Sequence, residues 1–400
     1  MHLFARTNLL RRRDETVAAR VTQIELFFDL VFVFAVTQLS HTLLAHFTPM
    51  GVLQTTMLFA GVWWVWMYTS WVTNWLDPER RSVRLLLLAM MLAAMVLSTA
   101  LPHAFERRGL AFAGAYVAMQ VGRSLFMLWA LHDYSSRNYR NFQRITVWLA
   151  TTGVLWLWGG FSEGSMRLGL WLLALGIDLV SPAAGFWTPG WGRSTTQDWD
   201  IDGGHLAERC SAFVLIALGE SVTVTGAAFF ELHWTDATVA AFLSAFLLAT
   251  AMWWIYFDTA AERTSRLFAT HKDPGRIARV AYTYVHAALV GGIIVAAVAD
   301  ERVLDHPWAR ADLGTAAVVL GGPALYLLGN GLFRRLLSPR FAPSHLIGLA
   351  LLVALAAISL VTPLLVLSGA ATGVTILVAI AGSLLHRRQA AAAAGEDEAD

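Results

Sequence analysis

Two hydrophobic stretches carry ionisable residues where a membrane helix would ordinarily carry none. The first, VTQIELFFDLVFVFAVTQLSH at 21–41, holds Glu25 and Asp29 within two helical turns. At about 100° per residue, Glu25, Asp29, Val36 and Ser40 fall on one stripe roughly 60° wide, with Thr37 and His41 on the neighbouring face. A stripe of carboxylates cannot face lipid, so it must look into a bundle or an aqueous cavity. Carboxylates so placed bind a cation or a solute, or carry a proton. The alternative for Glu25 is an interfacial carboxylate stabilised by the positive end of its helix.

The second stretch, HLAERCSAFVLIALGESVTVTG at 205–226, holds Glu208, Arg209 and Glu220. Gly219 and Thr223 continue the stripe that starts at Glu208. Glu220 is a carboxyl deep in its span and the best single candidate for ion or proton coupling; the alternative is a protonated or hydrogen-bonded acid packed between helices. Arg209 is expected to snorkel to the interface. His205 and Glu208 have the i, i+3 spacing of helix-bundle metal sites, but the companion glutamates are not evident, so no metal is expected. Arg123, in AMQVGRSLFM, is the one basic residue well inside a span, with Gln120 one turn away. A buried guanidinium calls for an acidic partner, and Asp29 and Asp178 are the candidates. That pair would either lock the fourth helix to the bundle or serve gating or solute binding. Asp258 and His286 are single polar residues without an assignable partner. No P-loop, GxSxG or CxxC motif is present, so neither an enzyme nor a cofactor is expected.

These residues must be positioned by membrane helices. Of 400 residues 57% are hydrophobic and 14% charged, against roughly a quarter charged in soluble chains. The single cysteine, Cys210, excludes an intramolecular disulfide. The N-terminal segment lacks a signal-peptide core, which makes the first apolar stretch a retained helix. Stretches of about 20 apolar residues occur near 22–45, 52–74, 83–103, 110–132, 143–161, 168–187, 206–229, 237–259, 278–299, 312–335, 344–367 and 371–386. The fifth and sixth are interrupted by Gly159, Gly160 and Gly164, and the twelfth is short. With the N-terminus inside, 22 lysines and arginines fall on the cytoplasmic side and 5 outside, an asymmetry that puts both termini in the cytoplasm.

WWVWMY (63–68) recurs as WWIYFD (253–258), Glu25 as Glu208, and Gly122-Arg123 as Gly329-Asn330. The expected fold is therefore an all-α polytopic transmembrane helix bundle of about twelve spans, arranged as two parallel six-helix repeats. A basic cytoplasmic N-terminus (1–20) precedes the first repeat (21–187). A cytoplasmic linker (188–205), the second repeat (206–388) and a disordered acidic tail (389–400) follow. The linker carries Asp198, Asp200 and Asp202 without EF-hand spacing, and reads as a solvated connector.

VTQIELFFDLVFVFAVTQLSH (21–41) and HLAERCSAFVLIALGES (205–221) resemble the bacterial low temperature requirement protein A family, as does the Asp-containing helix at 178–182. The likeness covers nearly the whole chain and departs from the family's small apolar run at Cys210-Ser211-Ala212. It implies a polytopic membrane protein named from a cold-growth phenotype. FFDLVFVFAVTQL (27–39) also looks like the first-helix motif of the potassium channels built from two six-helix repeats. Phe27, Asp29, Val31, Phe32, Ala35 and Thr37 fit it; the second repeat, with Ala212 and Glu220 at the matching places, does not. The expected function is secondary transport of a small solute or ion, at a site between the repeats near helices 1, 4 and 7. A cation channel, or a membrane protein of cold or stress adaptation, is the alternative. The expected partners are the lipid bilayer and that solute or ion, with a possible homo-oligomer and no nucleic acid.

Overall fold

The computed structural model describes residues 8–11, 20–195, 202–270, 279–337 and 341–397, with 259–270, 337 and 386–397 described by backbone alone. Among the described residues the fold is all-α. Twelve α-helices follow in order: α1 (Gln23–Ala45), α2 (Pro49–Trp75), α3 (Arg81–Ala100), α4 (Gly109–Leu131), α5 (Ser136–Phe161) and α6 (Gly164–Val180), then α7 (Gly203–Glu231), α8 (Asp236–Thr270), α9 (His286–Asp305), α10 (Leu313–Leu337), α11 (Pro343–Ala356) and α12 (Leu364–Asp397). A π-helical run, Arg279–Val285, leads into α9. Two 3-10 turns, Leu101–His103 and Ser359–Val361, and isolated β-bridges complete the described residues.

Nine of the described helices are long and apolar enough to cross a bilayer, which makes this a multi-pass membrane protein. The other three are α5, α6 and α11. α5 opens with the polar run SRNYRNFQR, and α6 has 17 residues. The segment expected at 344–367 divides instead. α11 ends at Ala356, a 3-10 turn covers Ser359–Val361, and α12 starts after Pro363, whose ring cannot continue a helix. α12 is not the short helix of the sequence reading. It runs on to Asp397 through the alanines at 390–394, the strongest helix formers. Gly159 and Gly160 do not interrupt α5. A Cβ on Gly159 would lie 2.4 Å from the Trp171 ring, so this glycine lets α6 seat its indole against α5. Gly164, with φ +53°, does mark the start of α6.

The chain forms two compact units, Met1–Phe213 with Lys272–Arg279, and Val214–His271 with Val280–Asp400. In the first unit α1 packs on α2 and α3, α2 on α4 and α6, α4 on α3 and α5, and α5 on α6. A short N-terminal strap also belongs to it. Leu9 is buried among Val72, Trp75, Leu76, Leu131 and Phe142. The strap's backbone pairs with the end of α2: Arg11 N–H donates to Trp75 O at 2.8 Å, and Asp77 N–H to Leu9 O at 2.8 Å. In the second unit α8 packs on α9, α10 and α12, α9 on α10, and α11 on α10 and α12.

The α9–α10 contact is a backbone-to-backbone approach. A Cβ on Gly292 would stand 2.8 Å from Tyr326 N, and one on Gly322 2.8 Å from Ala296 N. Small residues at such a crossing let helices meet where no hydrophobic force drives them together. Gly322→Val should therefore lower the thermal midpoint in detergent, by the equivalent of about 1–3 kcal/mol of overpacking. Gly321→Val, next to it with nothing within 4 Å of its Cβ, should leave the midpoint nearly unchanged. Equal effects would remove the close crossing as the cause.

Candidate functional site

Two helix starts build the site. α1 is capped by Thr22, and Glu25, three residues on, accepts the Thr22 backbone N–H and hydroxyl at 2.9 Å each on Oε2. α7 is capped by Asp202, whose Oδ1 accepts from Gly204 N–H (2.9 Å) and His205 N–H (3.1 Å). Asn74, in the last turn of α2, grips that cap: its Nδ2 donates to Asp202 O at 2.8 Å, and its Oδ1 accepts from Asp202 N–H at 2.9 Å. Each helix then presents an i, i+4 pair on one face, acidic on α1 (Glu25, Asp29) and basic on α7 (His205, Arg209).

The pairs meet as a two-rung ladder. His205 Nε2 lies 3.0 Å from Glu25 Oε1. Arg209 grips Asp29 side-on, Nε to Oδ2 at 3.1 Å and Nη2 to Oδ1 at 2.5 Å. It also reaches back along the ladder, with Nη1 donating to Glu25 Oε1 and Thr73 Oγ1, both at 3.1 Å. Trp66 Nε1–H donates to Asp29 Oδ1 at 2.7 Å, and its ring lies 5.9 Å from the Arg209 guanidinium. Arg11, from the strap, donates Nη2 to Glu25 Oε2 at 2.9 Å. Asn74 Nδ2 lies 3.3 Å from His205 Nδ1. Donation from Asn74 to Nδ1 leaves Nε2 carrying the proton that faces Glu25, the neutral imidazole. The charges then balance, Glu25 and Asp29 against Arg209 and Arg11. Glu25, Asp29, His205 and Arg209 have no exposed side-chain surface, and Arg11 has 12%.

Arg209 is thus an interior residue and does not snorkel, because two α1 carboxylates hold it. His205, which the sequence offers only as half of a doubtful metal pair, is a rung. Glu208 is exposed and accepts the Val21 backbone N–H at 3.0 Å. No group of three or more His, Cys, Asp or Glu stands close enough to hold a metal among the described residues. Of the other α1 stripe residues, Val36 and Ser40 are buried, and buried Thr37 donates to Val33 O at 3.2 Å. Glu220 and Thr223 belong to the second unit, the ladder to the first. Glu220 is half-buried, and Thr223 is exposed with its hydroxyl on Gly219 O. Asp198 and Asp200 lie outside the described residues.

Arg123 departs from expectation most clearly. It pairs with neither Asp29 nor Asp178. Nη1 donates to Thr69 Oγ1 (3.0 Å) and Val65 O (3.3 Å), Nη2 to Gln120 Oε1, and the guanidinium lies 5.3 Å from the Tyr68 ring centre. Its Nε has no hydrogen-bond partner. Asp178 accepts three neutral donors: Tyr116 OH at 2.8 Å, Thr152 Oγ1–H at 2.7 Å and Trp156 Nε1–H at 3.1 Å. Gln120 Nε2 donates to the Tyr116 oxygen at 3.3 Å. The two buried charges are therefore joined through Gln120 and Tyr116 without touching. In the second unit His286 sits between Tyr256 OH (2.9 Å) and Ala281 O (2.8 Å), and exposed Asp258 accepts from Ser383.

Sequence reasoning misses Arg11, Trp66, Thr73, Asn74, Tyr116, Thr152 and Trp156. One signal is readable: His205 and Arg209 repeat the i, i+4 spacing of Glu25 and Asp29 with the opposite charge.

Residues 20–380 match the family model of the bacterial low temperature requirement A protein. An uncharacterized protein of Rhizobium meliloti (strain 1021) is 41% identical over 344 residues, 86% of this chain and 84% of that one. No solved structure matches the chain.

Removing one member of a buried, balanced set strands the opposite charge. Arg209→Gln should cost about 3–5 kcal/mol of stability. Adding Asp29→Asn should restore most of it, because Glu25 and Arg11 still balance and the new amide oxygen can still accept from Trp66. Thermal midpoints of both singles and the double variant test this. A double variant as unstable as the two losses added would rule out charge balance as the organising term.

Proposed function

The chain belongs to the bacterial low temperature requirement A protein family, and on that premise we propose that it is a secondary transporter of a small solute or ion. The ladder on α1 and the first turns of α7 carries this reading. Ionisable residues inside a membrane bundle are costly to keep, and they mark solute or ion paths more often than they stabilise. Here two carboxylates share one guanidinium: Arg209 holds Asp29 with two nitrogens and Glu25 with the third. A proton, cation or solute charge arriving at either carboxylate weakens one arm of Arg209 and leaves the other in place. That is a reversible exchange of partners, the step a carrier needs to couple occupancy to conformation. It needs neither a cofactor nor covalent chemistry, and the protein is not an enzyme on this reading.

The transporter reading places the protein in the plasma membrane with both termini cytoplasmic, on the 22-to-5 charge asymmetry. It takes all twelve helices as spans, α11 together with the 3-10 turn after it, in two parallel repeats α1–α6 and α7–α12. Matching packing supports the repeat: α2 on α4 and α6 corresponds to α8 on α10 and α12. Likewise α4 on α3 and α5 corresponds to α10 on α9 and α11, and α5 on α6 to α11 on α12. The capped starts of α1 and α7 fall at Gln23 and Gly203.

A cation channel is the second reading, favoured by the Phe27–Asp29–Phe32–Thr37 pattern. Asp29, bonded to Arg209 and Trp66, fits a carrier's exchange site better than an open pore. The test is reconstitution in proteoliposomes with imposed sodium, potassium and proton gradients and a panel of small charged and zwitterionic solutes. Expected are saturable, gradient-driven uptake and its loss, by at least tenfold, in the folded Asp29→Asn/Arg209→Gln variant. Unitary current steps that do not saturate would replace the carrier with a channel; uptake unchanged in that variant would remove the ladder from the mechanism.

A further inference from the structure

Of the two guanidiniums that neutralise the ladder, only one is built into a helix. Arg209 projects from α7, whereas Arg11 comes from the N-terminal strap. The Arg11 side chain donates to a ring of oxygens. Nε donates to the main-chain carbonyls of Thr73 (2.9 Å) and Leu76 (3.1 Å), Nη2 to the Glu25 carboxylate (2.9 Å), and Nη1 to the Arg20 carbonyl (3.4 Å). Nη2 also lies 3.1 Å from His205 Nε2, the nitrogen that faces Glu25. Thr73 and Leu76 lie at the C-terminal end of α2, where helix carbonyls lack partners and the dipole is negative. A carboxylate with several converging carbonyl oxygens is the donor set that hard cations take.

The helices alone leave this place one charge short. Without Arg11 the buried set is Glu25 and Asp29 against Arg209, with His205 neutral, a net charge of −1. The strap itself does not need the Arg11 side chain to stay in place. Leu9 is buried in the apolar cluster, and two backbone hydrogen bonds join residues 9 and 11 to Trp75 and Asp77.

We propose that the oxygens of Glu25, Thr73 and Leu76 form a site for one monovalent inorganic cation, and that Arg11 fills it as a tethered competitor. The strap then acts as a plug: while Arg11 is seated the ladder is neutral and closed, and a sodium or potassium ion enters only as the guanidinium leaves. This extends the transport reading of the ladder and rests on it for its use in the cell. Its test reads binding rather than uptake, so either can fail alone.

Purified full-length Arg11→Ala protein is melted in sodium or potassium chloride replaced stepwise by N-methyl-D-glucamine chloride, at constant ionic strength. The variant should gain about 2–4 °C in midpoint as either small cation is added, with saturation, as expected for a ligand that binds only the folded state. Radioactive sodium or rubidium should bind it at one ion per chain. Wild type and Arg11→Lys, which keep a tethered cation, should show no such dependence. Arg11→Ala with Glu25→Gln, which has no charge to balance, should lose it. Should Arg11→Ala yield no folded protein, Leu9→Ala loosens the strap and leaves Arg11 and every ligand oxygen in place; it should then acquire the dependence. A flat response of Arg11→Ala, or of Leu9→Ala where it stands in, would overturn the proposal and leave Arg11 as a helix cap. Full dependence retained in the Glu25→Gln double variant would overturn it too.

Discussion

The first unit depends on one constraint: a guanidinium buried in an apolar bundle must find acceptors where it stands, and Arg209 finds two carboxylates. Arg209 has no exposed surface, and burial of an unpaired ion costs several kcal/mol even after relaxation, on the order of the total stability of a domain. Much else follows from meeting that cost. α1 must carry two carboxylates one turn apart, because one guanidinium offers donors in two directions. α2 must supply Trp66 and Thr73 at the matching depth for the remaining valences. The first turn of α7 must be held in register, which Asn74 does by bonding both the N–H and the C=O of Asp202. The second carboxylate then demands a second cation, and the strap provides it.

Arg123 and Asp178 show the other way to keep charges inside. No formal partner touches either one. The two terminal nitrogens of the guanidinium donate to a hydroxyl, a main-chain carbonyl and an amide, with an aromatic face beside them, and the carboxylate accepts from two hydroxyls and an indole N–H. Gln120 and Tyr116 connect them, so each charge polarises the chain towards the other. Such a chain fixes α4 against α2 and α6 while leaving no single bond whose exchange would free a charge. The ladder is different. Arg209 already divides itself between two buried carboxylates, so a change of partner there needs no new desolvation. This difference is why function is assigned to the ladder and a packing role to the relay.

What can be read in the sequence follows the same division. Apolar length and the inward stripe of Glu25 and Asp29 are local properties, and the described residues hold twelve helices with those carboxylates inside. Partner choice is not local. A lone guanidinium is costly, so the sequence asks for an acid beside Arg123, but neutral donors and acceptors on two helices meet the same need. Arg209 sits just after a linker, where snorkelling is the ordinary outcome; only the α1 carboxylates across from it make the interior preferable. Arg11 is one of a run of arginines in a segment with no helical pattern, so nothing nearby distinguishes it from its neighbours. Leu9, two residues before it, is the residue that decides, because burying it brings Arg11 to Glu25. Glu220 stands out in the sequence by its depth in α7, and depth along a helix does not say which way a side chain turns.

The register of the two helices gives the asymmetry a physical reason. α1 starts at Gln23 and α7 at Gly203, each after an oxygen-bearing cap, Thr22 and Asp202. Matching the two helix starts pairs Glu25 with His205 and Asp29 with Arg209, three residues away from the sequence match of Glu25 with Glu208. Residues that face each other across a helix pair cannot both be acidic or both basic inside a bundle, since like charges at contact distance in low dielectric repel by far more than packing returns. Two helices carrying the same sign of charge at these positions could not come together at this depth. Acid on one helix and base on the other is the arrangement that can, and it leaves one carboxylate in excess of the helices' own fixed charges. The charge left unbalanced between the two helices is the one the strap supplies.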